Sequence, residues 1–207
     1  MKDVGISPES IRETIRFHGH HCPGLALGIR VAEVVLRENR RAPDEELVAV
    51  VETDMCGVDA IQYLTGCTFG KGNLLHLDYG KNVFTFYRRS DGKGIRIAAR
   101  PEVFDGDNGE MIALIQKKVG GEKLTADEEK KLDEMRENRI KRIMEADLDE
   151  LFSIRPAEGE VPRRARIMES LVCESCKEKT METRTRRFQG KTVCIPCFEK
   201  EERRIPV

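Results

Sequence analysis

Leu47-Val-Ala-Val-Val-Glu-Thr53 is an unbroken apolar run of strand length, and the rest of the fold is organised around it. A strand with one wet face alternates apolar and polar residues, so a run without alternation suits a strand buried on both faces. Downstream, Cys56-Gly57 leads into a short helix over 58–64, and Gly66-Cys-Thr-Phe-Gly-Lys-Gly72 is a glycine-rich loop. Residues 74–77, 83–89 and 94–99 read as three strands joined by Gly-containing turns, expected to form a meander. Upstream, Ser7-Pro8-Glu9 is a helix start, with Ser7 as cap and Pro8 at the first helical position. Pro23 opens a second helix whose apolar residues cover most of its sides, which predicts a buried helix. Helices followed by neighbouring strands place the chain in the α+β class, a mixed β-sheet flanked by helices.

Beyond the strands, helices are expected over 108–119 and 125–146. Thr125 with Glu128 forms a capping box at the start of the second. The apolar stripe Leu132, Met135, Ile140 and Ile143 is narrow, which suits an interface or a bridge. Residues 155–162, RPAEGEVP, read as a linker. This divides the chain into a core domain, 1–154, and a linker with a small C-terminal domain, 155–207.

The 207 residues carry 36 basic and 37 acidic side chains, a net charge of −1. No global field therefore draws nucleic acid or membrane. A local asymmetry exists: residues 121–162 hold 8 basic and 13 acidic groups, and residues 163–207 hold 12 and 7. Four zinc-bound thiolates would reduce the tail's excess, so nucleic acid is not the expected partner. The N-terminus has no apolar signal segment and no run of about 18 apolar residues exists. Seven cysteines are an odd number, and four fall in CxxC pairs. A cytoplasmic protein with reduced thiols and bound metal is expected.

Cys173-x2-Cys176 and Cys194-x2-Cys197 are separated by 17 residues. Each pair makes a tight knuckle that aims two sulfurs at one point, and two knuckles complete a closed tetrahedral zinc site. Between them, 183–188 and 192–193 are expected to pair as a hairpin turning at Gln189-Gly190, with a helix starting near Phe198. Knuckle, hairpin, knuckle and helix is the treble-clef order. A module this small does not fold on apolar burial alone, so the zinc is structural.

The second candidate site is His18-Gly-His20-His21-Cys22-Pro23-Gly24, which holds three of the four histidines. Cys22 precedes a helix start and Cys56 follows the buried strand before another helix. Free N–H groups and the helix dipole there favour thiolates. His18, His20 and Cys22, with Cys56 available, form a mixed N/S ligand set suited to zinc or another transition metal. His21 is the bystander, His76 sits in a strand pattern, and Cys67 is divided evenly between the site and the core. Gly66–Gly72 misses the phosphate-loop spacing and lacks Ser or Thr after Lys71; a glycine-rich turn with an exposed lysine is slightly favoured over an anion nest with Lys71 as ligand. Lys71, Asp78 and Lys81 are the candidate lining of an adjoining pocket. Glu52, Asp54 and Asp59 flank Cys56, either as support for a metal ligand or as a base beside metal-bound water; Asp59 can also be simply solvated.

Taken together, FHGHHCPGLALGIR (17–30), VETDMCGVDAIQYLTGCTFGKGNL (51–74) and DYGK (78–81) resemble the FmdE family, named for formylmethanofuran dehydrogenase. The resemblance spans roughly residues 10–150. It implies an α+β core with a mixed sheet and a metal site at His18, His20 and Cys22, with Cys56 from the second motif. It also implies a homodimer and, in some members, a C-terminal treble-clef finger. The family's association is with a molybdenum or tungsten enzyme that reduces CO2 to formylmethanofuran, in which other polypeptides hold the pterin and the catalysis. Three functional expectations follow: an accessory or metal-handling protein that docks to a larger oxidoreductase complex, a metal-dependent enzyme of unknown substrate, and a zinc-finger regulator that binds nucleic acid. The first is favoured.

Overall fold

In the computed structural model the apolar run is β1 (Leu47–Val51), an interior strand with a partner on each side. The structure describes residues 5–38, 41–44, 46–104 and 108–203. The chain forms two units, Met1–Arg164 and Ala165–Val207.

In the first unit, α1 (Pro8–His18) and α2 (Pro23–Glu38) precede β1, and α3 (Gly57–Thr65) leads to β2 (Leu74–His76). β3 (Val83–Arg88) and β4 (Gly94–Ala99) follow, then α4 (Asn108–Val119), α5 (Ala126–Glu145), the short α6 (Leu148–Leu151) and β5 (Phe152–Pro156). The sheet order is β2-β1-β3-β4-β5. β1 pairs parallel with β2, and all other pairings are antiparallel, so the sheet is mixed.

Two expectations change here. The three strands are not one meander: β3 and β4 are antiparallel neighbours, but β2 lies on the far side of β1 and parallel to it. The reason is α3, which carries the chain back along β1, and a parallel neighbour requires such a crossover. The linker also begins later than 155. Arg155 and Pro156 are strand residues, paired with Arg96 and Ile95 of β4. Proline is tolerated there because β5 is an edge strand that needs no donor on its open side. The two units divide after Arg164.

One face of the sheet is covered by helices. Leu47, Ala49 and Val51 of β1, Phe84 and Phe86 of β3 and Ile97 of β4 pack with Leu27, Val31 and Val35 of α2 and Ile143 of α5. α2 is buried nearly all round, as its sequence predicts. It buries one ion pair as well: Arg30 Nε lies 3.1 Å from a Glu33 oxygen, with both side chains almost wholly inaccessible. The Arg30 guanidinium also donates to the carbonyls of Met144 and Ala146 at 2.7 and 2.8 Å, which fastens α2 to the C-terminal end of α5. The first half of α5 packs instead with α4, around Met111, Leu114 and Leu132. Among the described residues no helix is long and apolar enough to cross a membrane.

In the second unit, β6 (Ser170–Val172) and β7 (Lys179–Met181) form a hairpin around the first cysteine pair. β8 (Thr185–Phe188) and β9 (Lys191–Cys194) form the next, and α7 (Ile195–Glu202) closes the unit. The second hairpin turns at Gln189-Gly190, both at positive φ, the two-residue turn whose twist matches paired strands.

Candidate metal centre

The N-terminal site begins where α1 stops. Gly19 ends the helix at φ +95, a conformation that side-chain-bearing residues seldom adopt, and its N–H caps the Ile15 carbonyl at 2.8 Å. His18 therefore stands in the last turn of α1 and the chain reverses through His20 and His21. Pro23 then starts α2. Cys22, just before it, behaves as the cap: its sulfur accepts the Leu25 N–H at 3.3 Å, where an aspartate or serine oxygen would usually stand.

This turn gathers three donors. One ligand atom each from His18, His20 and Cys22 lies within 4.8 Å of the other two. Cys22 Sγ is 3.8 Å from His18 Nε2, and the two imidazole rings are 4.6 Å apart. In a tetrahedral zinc site the ligand atoms stand roughly 3.3–3.8 Å apart, given bonds of about 2.0–2.3 Å. The set is thus close to metal spacing and fits a borderline ion with mixed N and S preference.

Cys56 reaches the site because α2 and α3 cross at unusually short range. A Cβ built on Gly24 would lie 3.2 Å from Cys56 Cβ and 3.8 Å from its sulfur. One built on Gly28 would lie 2.5 Å from the Gly57 Cα. Two helix starts, each preceded by a cysteine, are thereby pressed together, and Cys22 and Cys56 pack on one cluster with Leu25, Ile29 and Ala60. The expected dipole-stabilised thiolate at Cys56 does not follow. Burial, and then the Cys22 thiol beside it, push Cys56 above the ordinary thiol range. Like groups in a desolvated pocket share protons until a metal replaces them. Cys56 is outside the tightest donor group but borders it.

The other candidates are dispersed. Lys71 is occupied: its ammonium donates to the carbonyls of Ala42, Pro43 and Asp44 at 3.2, 3.4 and 3.2 Å, so it stitches the glycine-rich loop to the segment before β1. Asp78 and Lys81 are exposed in the turn after β2, where Lys81 N donates to Glu52 O and its ammonium lies 5.8 Å from the Tyr79 ring. Glu52 is buried and paired with Arg96 at 3.0 Å, and Asp54 is exposed. His76 is exposed on β2. Cys67 is buried, donates to Leu47 O at 3.5 Å, and has no place in the donor group. A cavity of about 480 Å³ opens instead at the start of β1, between Leu47, Phe86, Ile95, Ile154 and the cations Arg88 and Arg155; Lys71, Asp78 and Lys81 do not line it.

Asp59 is not merely solvated. Its Oδ2 lies 2.7 Å from His18 Nδ1 and its Oδ1 3.4 Å from the Gln62 amide nitrogen. Gln62 Oε1 in turn accepts the Phe69 N–H at 3.2 Å. Sequence spacing had a signal for this, since 59 and 62 share a helix face, but their partner 41 positions away has none.

In the second unit, Cys173, Cys176, Cys194 and Cys197 converge, with one sulfur each within 4.8 Å of the others. Cys173 and Cys194 are buried, and with Val193 they form the unit's small core, against which Phe188 and Phe198 pack edge to face at 5.5 Å. Lys177 at φ +68 closes the first knuckle, with its N–H on the Cys173 carbonyl at 2.9 Å. The Cys194 N–H on the Cys173 sulfur at 3.3 Å is the main reason that thiol falls to about 6. Cys176 is pushed up to about 12: the Glu178 N–H favours its thiolate, but desolvation and the three neighbouring sulfurs outweigh it. Four such sulfurs with no cation between them repel as thiolates, and one divalent ion resolves this.

Residues 17–153 match the model of the family described as FmdE, molybdenum formylmethanofuran dehydrogenase operon. Residues 166–203 match the prokaryotic dksA/traR C4-type zinc finger. A curated relative from Archaeoglobus fulgidus, named a probable S-adenosyl-L-methionine-binding protein, is 34% identical over 188 residues. The match takes in 87% of this chain and 50% of the relative, so the chain spans about half that protein's length. The fold is shared with a crystal structure of an FmdE-like protein of the tungsten formylmethanofuran dehydrogenase type from Syntrophus aciditrophicus, with a TM-score of 0.60 and 22% identity over 91% of this chain and 90% of that one.

Proposed function

The chain belongs to the FmdE family, and from that membership we propose that it is a metal-handling accessory protein related to the molybdenum and tungsten formylmethanofuran dehydrogenases. The observation that carries the reading is the donor group itself: His18, His20 and Cys22 lie within 4.8 Å of one another on one turn, with Cys56 beside them. In this reading a transition metal, zinc before nickel, iron or copper, is held exchangeably at that turn. The four-cysteine unit holds a permanent zinc. The chain acts in the cytoplasm as a homodimer and docks to a larger oxidoreductase. Phe17 and Met55, which adjoin His18 and Cys56 in sequence, are 55% and 60% exposed and offer apolar surface for such docking. The family's name supports the association with a formylmethanofuran dehydrogenase; the metal reading rests on the side chains.

Elemental analysis tests it. Purified wild type should carry about two metal ions per chain, and the double variant H20A/C22A about one, with the C-terminal zinc retained. Equal metal content in the two proteins would remove the N-terminal site from consideration.

A further inference from the structure

We propose that Asp59 and Gln62 are positioning residues that hold His18 as an Nε2 ligand of the N-terminal metal. The inference rests on the reading of His18, His20 and Cys22 as a metal site and adds two residues that touch no metal themselves. It follows from the direction of each hydrogen bond. The Phe69 backbone N–H can only donate, so the Gln62 atom it meets at 3.2 Å is the amide oxygen. The other end of that amide is then the NH2 group, which faces Asp59 Oδ1 at 3.4 Å and donates to it. An ionised carboxylate can only accept, so His18 Nδ1, 2.7 Å from Asp59 Oδ2, carries the proton. The remaining lone pair is on Nε2, and Nε2 is the atom that faces the Cys22 sulfur at 3.8 Å. The chain of donors and acceptors has no conflict along it and ends in a ligand atom.

The placement also fits positioning better than simple charge pairing. The His18 side chain is only 11% exposed, and the contact joins the end of α1 to α3 across 41 residues. Asp59 and Gln62 sit one turn apart on α3, the helix whose start carries Cys56. One rigid element thus orients a histidine donor and presents the neighbouring thiol. Carboxylate support of this kind fixes the tautomer and raises the basicity of the imidazole, and its loss costs about 10–100-fold in metal affinity.

The test uses the full-length protein and Co2+, with H20A/C22A to identify the cobalt signal of the N-terminal site. D59A should weaken cobalt binding at that site about 10–100-fold and shift its ligand-field absorption, while the four-cysteine signal stays as in wild type. Q62A should weaken it in the same direction by less, and D59E should restore part of the loss. Imidazole 15N shifts of the metal-free protein give a readout that neither fold stability nor coordination imposes: His18 should be protonated at Nδ1 in wild type, and this fixed tautomer should be lost in D59A. A wild-type cobalt affinity together with an unchanged His18 tautomer in D59A overturns the proposal. If wild type and H20A/C22A bind the same amount of cobalt, the metal reading fails and this inference falls with it.

Discussion

Gly28 and Gly57 meet backbone to backbone where α2 crosses α3. A Cβ on Gly28 would stand 2.5 Å from the Gly57 Cα, and one on Gly57 would stand 3.0 Å from the Gly24 carbonyl. Neither helix can move away without parting Cys22 from Cys56, because each cysteine is fixed at the start of its helix.

G28A should therefore destabilise the first unit by about 1–3 kcal/mol, the usual cost of forcing a methyl group into a closed contact. It should also lower metal retention at the N-terminal site. G70A is the control, since nothing lies within 4 Å of a Cβ there, and it should change stability by no more than about 0.5 kcal/mol. Urea denaturation and metal analysis of both variants decide the matter; equal midpoints for G28A and wild type would refute the close-packing account.

Lys71 is a structural cation. K71M keeps the length of the side chain but takes the ammonium from the Ala42, Pro43 and Asp44 carbonyls, of which Asp44 keeps the Asn73 side-chain amide at 3.0 Å. The expected cost is about 1–3 kcal/mol, as for hydrogen bonds to a charged group. Amide exchange at Ala42, whose N–H is bonded to Thr65 O at 2.8 Å, should quicken. A variant with wild-type stability and exchange would return Lys71 to the role of an anion ligand.

R30M tests the buried pair on α2. It removes the donor to the Met144 and Ala146 carbonyls and leaves Glu33 buried with only Arg37, at 2.7 Å, as its cation. Breaking one side of a buried pair costs about 3–5 kcal/mol. Thermal unfolding should show this loss. R37M, at a side chain 60% exposed, should cost about 1 kcal/mol or less. If the two variants unfold alike, Arg30 is not the tie between α2 and α5.

Zinc uptake by the second unit should release protons. With Cys173 lowered to about 6, Cys176 raised to about 12 and Cys194 raised as well, its Cys197 N–H outweighed by desolvation and the sulfurs beside it, the metal-free unit at pH 7 keeps protons on Cys176 and Cys194 that zinc must displace. Affinity should rise with pH, because fewer protons then compete. Below about pH 6 the Cys173 proton joins the competition and the dependence steepens. Calorimetry in buffers of different ionisation enthalpy counts the protons, and an affinity independent of pH would contradict the account.

Much of this was legible in the residues, for physical reasons that differ by element. LVAVV lacks alternation, and four of its five residues are buried, so β1 declares itself. Thr125 and Glu128 cap α5 through each other's backbone, with bonds at 2.8 and 3.2 Å, a local device that needs no tertiary context. The CxxC pairs and the HGHHCPG turn are local in the same sense. What escaped was set at long range. β2 has only three residues, and nothing in them says that they pair with β1 rather than with β3. β5 hid in a stretch that ends in Pro156, because an edge strand accepts a residue that an interior strand excludes. Asp59 was one of three carboxylates flanking Cys56, and nothing local chose it over Glu52 and Asp54 until α1 brought His18 to it; Lys71 stood between an exposed turn lysine and an anion ligand, and its three carbonyls made it neither.

The sequence distances of these contacts also set an order of assembly during synthesis. His18 and its Asp59 partner are 41 positions apart, whereas Arg30 and Met144 are 114 apart. Every donor of the N-terminal site has left the ribosome, and so has the α3 segment that orients it, well before α5 and β5 exist to complete the core. A chain translated at about 5–20 residues per second therefore exposes its ligand set for several seconds before the fold around it can close. Metal capture can precede the finished domain, and the ion available in that interval is the one that such a nascent site would trap.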